Sequence, residues 1–255
     1  MSPAIFSFLP LDLLDVILHY VRRADLTSIC RTSKLFRVHA LDALYSDMRL
    51  ADNHSLQACF SILDDPQLAA RVKRFAIYSN NTAGSFYGVI QDTLEVLPGL
   101  ETLELSMGEG SSCQWLLPTN SCPFLLHTFL TDFPYTPEVQ TFITSQPGIR
   151  NLTVPWASGV NYFGNLGFLG LRYLTTIFAP FSLVEALVPG RPIREVITFQ
   201  DREDIHPDRI SCLSKSTSIS GIKRLQITAG FLRDIGPELL SKTLPSLSCL
   251  SVISY

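Results

Sequence analysis

The stretch Leu100-Glu-Thr-Leu-Glu-Leu-Ser-Met107 carries leucine at its first, fourth and sixth positions. That spacing is neither the i, i+3, i+4, i+7 of an amphipathic helix nor a plain alternation. It fits a short strand whose spaced apolar anchors all point to one side. The same spacing recurs seven more times, in VKRFAIYS (72–79), LHTFLTDF (126–133), IRNLTVPW (149–156), LRYLTTIF (171–178), IREVITFQ (193–200), IKRLQITA (222–229) and LSCLSVIS (247–254). Five of the eight have apolar residues at all three anchors: Val72/Phe75/Ile77, Leu100/Leu103/Leu105, Ile149/Leu152/Val154, Ile222/Leu225/Ile227 and Leu247/Leu250/Val252. The other three end on threonine, at Thr131, Thr176 and Thr198.

First anchors lie 28, 26, 23, 22, 22, 29 and 25 residues apart. Leucine-rich repeats have periods of roughly 20–29 residues. Between the strands, FYGVIQDTLEVLPG, PEVQTFITSQPG and DIGPELLSKTLPS read as helices stopped by proline. Strand then helix, stacked about eight times, predicts an α/β fold over residues 72–255, a curved solenoid with a parallel inner sheet. An α/β barrel or a doubly wound sheet is the alternative. The units are short for βαβ crossovers, and no phosphate loop follows a strand. The usual asparagine or cysteine that ties down the turn after each strand is mostly absent, which puts regular curvature in question. The sequence stops inside the eighth strand pattern with no polar cap, leaving a bare sheet edge.

The bulk composition is that of a buried globular chain: 255 residues, 46% apolar and 17% charged, with mean hydropathy +0.23. A net charge of −3 offers no global attraction to nucleic acid or anionic membrane. Cys30, Cys59, Cys113, Cys122, Cys212 and Cys249 form no C-x-x-C pair, so reduced core thiols are expected rather than a zinc site or a disulfide scaffold. The N-terminus lacks a basic region ahead of its apolar run, and Arg172, Glu185 and two prolines interrupt the most apolar later stretch. No secretory signal and no membrane span are expected, which places the protein in the cytoplasm or nucleus.

Residues 5–50 read differently, as short helices, with 51–71 a linking helical segment. In FLPLDLLDVILHYVRR (8–23), Asp12, Asp15, His19 and Arg22 form one polar stripe. The rest is apolar, more than a single docked face requires. Asp25 is read as the cap of a second helix. Ser33 is read as the cap of a third, in which Val38, Leu41, Tyr45 and Met48 predict a helix to about Arg49.

This region resembles the F-box. Leu9-Pro10-x-Asp12-Leu13-Leu14-x-x-Ile17-Leu18 is followed by Asp25-Leu26, then SICRTSKLF (28–36) and LDALYSDMRL (41–50). Asp12 stands where the family usually has glutamate, and Leu44-Tyr45 lies near its closing aromatic. With the repeats that follow, the chain is similar to divergent, fungal-like F-box/leucine-rich-repeat proteins. The resemblance implies a three-helix F-box that docks on the adaptor of a cullin-type SCF ubiquitin ligase, while the repeats hold a target protein. It carries Leu9, Pro10, Leu13, Leu14, Ile17 and Leu26 over as adaptor contacts. The alternative is a repeat scaffold outside any ligase, whose N-terminal helices only cap the solenoid.

No catalytic motif is present, and neither enzyme activity, cofactor nor metal is expected. The acidic run Asp201, Glu203, Asp204, His206 and Asp208 reads as a solvated loop. His39, His54 and His127 have no cysteine or carboxylate at ligand spacing. Residues between the anchors would face a target, among them Arg74, Tyr78, Glu104, Tyr173, Phe199 and Arg224, a mixture suited to binding protein.

Overall fold

Alternation along each strand turns the repeated spacing into a core. The computed structural model describes residues 10–51, 54–78, 84–108, 113–118, 122–154, 170–199 and 207–254. In Thr102–Ser106, Leu103 and Leu105 are buried, while Thr102, Glu104 and Ser106 face outward. The described residues form nine strands: β1 Asp47–Ala51, β2 Arg74–Tyr78, β3 Thr102–Ser106, β4 Thr128–Thr131, β5 Asn151–Thr153, β6 Thr176–Pro180, β7 Glu195–Phe199, β8 Arg224–Thr228 and β9 Cys249–Ile253. They make one open sheet in strict chain order, every pairing parallel. That order is neither a closed barrel nor a doubly wound sheet, whose strand order reverses.

The register aligns the central anchors in one column: Met48, Phe75, Leu103, Phe129, Leu152, Ile177, Val196, Leu225 and Leu250. The first eight are at most 2% exposed, each burial worth about 1.5–3 kcal/mol. At the far edge, Leu250 and Val252 remain 41% and 44% exposed. A second periodicity lies in the backbone. The carbonyls of Ser46, Lys73, Glu101, His127, Arg150, Thr175, Arg194 and Lys223 each accept two N–H groups from the start of the next unit, at 2.7–3.2 Å. This stitch satisfies the polar backbone where the chain enters every strand from β2 to β9.

Helices connect the strands: α4 His54–Asp64 and α5 Pro66–Ala69, α6 Gly84–Glu95, α7 Pro137–Thr144, α8 Phe181–Leu187, then α9 Ala229–Ile235 and α10 Pro237–Thr243. Their apolar residues enter the same core as the strand anchors, for example Ile62, Leu94, Phe142, Leu183 and Phe231. Phe142 meets the Phe129 ring edge-on at 5.0 Å. Thr136 caps α7 and Thr228 caps α9 by accepting N–H bonds. The opposite sheet face carries no helix among the described residues.

Three sequence expectations change. The third helix, α3 (Lys34–Tyr45), is capped by Ser33 as expected but stops before Arg49, and residues 47–51 become β1. Tyr45-x-x-Met48-x-Leu50 is itself a copy of the anchor pattern, 27 residues before Val72. Residues 51–71, read as a linking helical segment, supply α4 and α5, and Cys59, Ile62 and Ala69 are buried in the main core. In the fifth predicted unit, the frame is Leu174/Ile177/Ala179 instead of Leu171/Leu174/Thr176, because Ile177 pairs in register with Leu152 and Val196. Finally, Asp25 does not cap a helix. It lies inside α2 (Arg23–Ile29), bonded to Arg22 at 3.0 Å.

Candidate protein-interaction surfaces

The N-terminal helices make a small core of their own. In α1 (Leu11–His19), Leu14 and Leu18 sit one turn apart and pack with Leu26 of α2 and Ala40 of α3. Val21, Ile29, Phe36 and Leu44 close around them. His39 Nδ1 and Asp15 Oδ1, 2.6 Å apart, fix α3 against α1. Arg71 ties this unit to the sheet through the Val38 carbonyl at 3.2 Å and through the Asp42 carboxylate.

With Leu14 and Leu18 turned inward, the opposite side of α1 presents Leu13, Val16, Ile17 and Tyr20. Their spacing of i, i+3, i+4, i+7 is a complete second apolar stripe. They are 50%, 55%, 49% and 87% exposed. Pro10, at the N-cap position, is exposed beside them. Of the six residues assigned to adaptor contact, Pro10, Leu13 and Ile17 lie on the accessible side. Leu14 and Leu26 do not: both are buried in the helical unit's own core, beneath the stripe. Leu9 lies outside the described residues. Val16 and Tyr20 belong to the surface although the F-box resemblance does not mark them; their helical spacing from Leu13 was the available signal.

The second surface is the outer face of the sheet. Arg74 donates to Glu104 at 2.8 Å, a diagonal pair across β2 and β3, and lies 3.7 Å from Asp47 on β1. Arg49 closes on the same Asp47 at 3.0 Å. Burial first, and then the neighbouring Glu104 carboxylate, push the Tyr78 phenol above its ordinary range. At the other end, Phe199 on β7 stacks edge-on to Phe178 on β6 at 6.1 Å. Arg224 lies exposed on β8, and Tyr173 lies exposed in the turn before β6. Five of the six predicted target-facing residues lie on the outer face of the sheet and Tyr173 lies in the turn before β6, and they form two groups. Arg74, Tyr78 and Glu104 are internally compensated, whereas Tyr173, Phe199 and Arg224 are three or more strands away.

Two histidines have tertiary partners that linear spacing does not reveal, Asp15 for His39 and, at 3.8 Å, Glu101 for His127. Among the described residues no group of three or more His, Cys, Asp or Glu side chains is placed to hold a metal, and no helix is long and apolar enough to cross a membrane. Asp201, Glu203, Asp204, His206 and the His54 side chain fall outside the described residues. The turn after β3 is tied by Asp132. Its carboxylate accepts from the Met107 and Gly108 N–H groups at 3.0 and 2.9 Å and from the Ser106 hydroxyl at 3.1 Å. Compared with known proteins, the chain matches no family model, and no curated protein is significantly similar to it.

Proposed function

We propose that the chain is a non-catalytic target receptor of an SCF-type ubiquitin ligase. The N-terminal helices act as an F-box that docks on the ligase adaptor and, through it, the cullin. The strand–helix units act as a leucine-rich-repeat solenoid that holds a target protein, in the cytoplasm or nucleus. The observation that carries this reading is the outward stripe Leu13, Val16, Ile17, Tyr20 beside Pro10. A four-residue apolar face on one helix is costly to leave in water and is the expected anchor of a helix-mediated interface. Its work is geometric: holding the target near the ligase raises the target's effective concentration.

The capping alternative draws on a separate observation. α3 runs almost directly into β1, and Arg71 bonds back to α3, which favours a role for the helices as a cap on the first edge of the sheet. That arrangement leaves the outward stripe of α1 without a role. Titration of purified adaptor against the whole protein separates the two. The ligase reading expects binding that is lost in a Leu13→Ala, Ile17→Ala, Tyr20→Ala variant with unchanged circular dichroism. No binding by the unaltered protein would leave the capping scaffold.

A further inference from the structure

The position that carries the backbone stitch also carries a ladder of side chains. One residue per unit occupies it: Lys73, Glu101, His127, Arg150, Thr175, Arg194, Lys223 and Ser248. Neighbouring rungs reach one another, for Lys73 Nζ lies 3.7 Å from Glu101 and His127 Nδ1 lies 3.8 Å from the same carboxylate. The first three rungs are thus charge-compensated, and Glu101 serves two partners.

From the fourth rung the chemistry changes. Arg150, Arg194 and Lys223 are joined by Arg224, the first residue of β8, and by Arg172 in the turn before β6. In the two rows that open β5 to β8, Glu195 is the single carboxylate against four cations, with Arg172 a fifth in the turn before β6. Glu195 and Arg224 are register partners, yet none of the five cations has a carboxylate within 4.0 Å among the described residues. Four of the five are exposed and Lys223 is half-buried. This concentration of positive charge stands on a chain whose net charge is −3, so it is local and not a general basicity.

We propose that the strand-entry side of β5 to β8 is a docking strip for an acidic, extended peptide segment of a partner protein. Rungs on neighbouring strands repeat at ~4.8 Å, so Arg150 to Lys223 spans about 14 Å, the length of about four extended residues at ~3.3 Å each. Side chains of one sign in a row suit a strand-like peptide with repeated carboxylates. The exposed Tyr173 ring beside Arg172 adds an apolar contact at the margin. A nucleic acid would meet only this short strip before reaching Glu101 and the acidic remainder of the chain. If the sheet carries the ligase target as proposed above, the strip names that target's chemistry. The test contains no adaptor, so its outcome is separate from that of the docking reading.

The experiment uses the whole protein and a fluorescein-labelled peptide of about eight alternating Asp and Glu residues, long enough to cover the strip. Fluorescence anisotropy is read at about 50 mM and about 500 mM salt. The expected result is binding at low salt that weakens at high salt and falls by about tenfold or more in Arg194→Glu, Lys223→Glu. Lys73→Glu, a cation in the compensated part of the ladder, should change it less than about twofold. Arg194→Gln, Lys223→Gln serves if the reversed variant loses its unfolding midpoint. The proposal is overturned if the unaltered protein does not bind, if the Arg194/Lys223 variants bind equally well, or if Lys73→Glu weakens binding as much. Equal or tighter binding of an oligothymidylate of the same charge would also overturn it.

Discussion

Gln146 offers the sharpest test of how the units are stitched. It is fully buried, and its Oε1 accepts the N–H of Leu126 at 2.8 Å. Leu126 is a first anchor, itself fully buried, so water cannot replace that acceptor. Gln146→Met keeps nearly the same length and volume but offers only a weakly accepting sulfur. The orphaned N–H should cost about 1–3 kcal/mol. Gln146→Ala adds the lost packing and a cavity, for a total of about 2–5 kcal/mol. In urea, with an m-value of about 2 kcal/mol/M, a loss of about 2 kcal/mol moves the midpoint by about 1 M. Gln146→Glu should be worse at neutral pH than in acid. A carboxyl held neutral by burial has its pKa raised in the folded state, so its contribution is kept at low pH and lost as pH rises. A Gln146→Met midpoint within about 0.2 M of the unaltered protein, at unchanged m, would refute the assignment of this bond as a necessary stitch.

Other consequences follow from burial and backbone geometry. Burial pushes the Cys59 thiol up and raises that of Cys212 to about 12, whereas Cys249 is exposed on the edge strand. Iodoacetamide at pH 8 should therefore modify Cys249 first and spare Cys59 and Cys212 until the protein unfolds, read by peptide mass spectrometry. The same shifts predict alkaline instability. The folded state holds these protons more tightly than the unfolded state does. Stability should be full below the unfolded thiol value of about 8.5 and fall as pH rises toward 12; a flat profile of urea midpoints from pH 7 to pH 10 would contradict their burial. Gly221 has φ +65°, and an added Cβ would lie 2.9 Å from the Ser246 side chain. Gly221→Ala should lower stability by about 1 kcal/mol or more in the same urea assay.

The repeat was legible because burying a strand on one side demands apolar residues at fixed spacing, and most units comply. It was misread where two frames compete. Leu171, Leu174 and Ile177 follow one another at three-residue steps, and only pairing with Leu152 and Val196 selects the later frame. β1 was missed because Val38, Leu41, Tyr45 and Met48 keep a helical spacing into what becomes strand; the carbonyl of Ser46 and the partner strand β2 decide the outcome. On α1 the two stripes could be read from sequence, but not which one faces inward. That depends on where α3 lies, fixed by contacts such as His39 to Asp15 across 24 residues. The charged ladder was hidden more deeply, since its rungs stand more than twenty residues apart in most units and become neighbours only through the parallel register.

The most direct measurement on the central claim is amide hydrogen exchange on the whole protein, with and without the purified ligase adaptor. The account predicts added protection across Leu11–Tyr20 of α1, and none over the strand-entry ladder from Arg150 to Lys223. Unchanged exchange in α1 at saturating adaptor, or protection confined to the sheet, would contradict it.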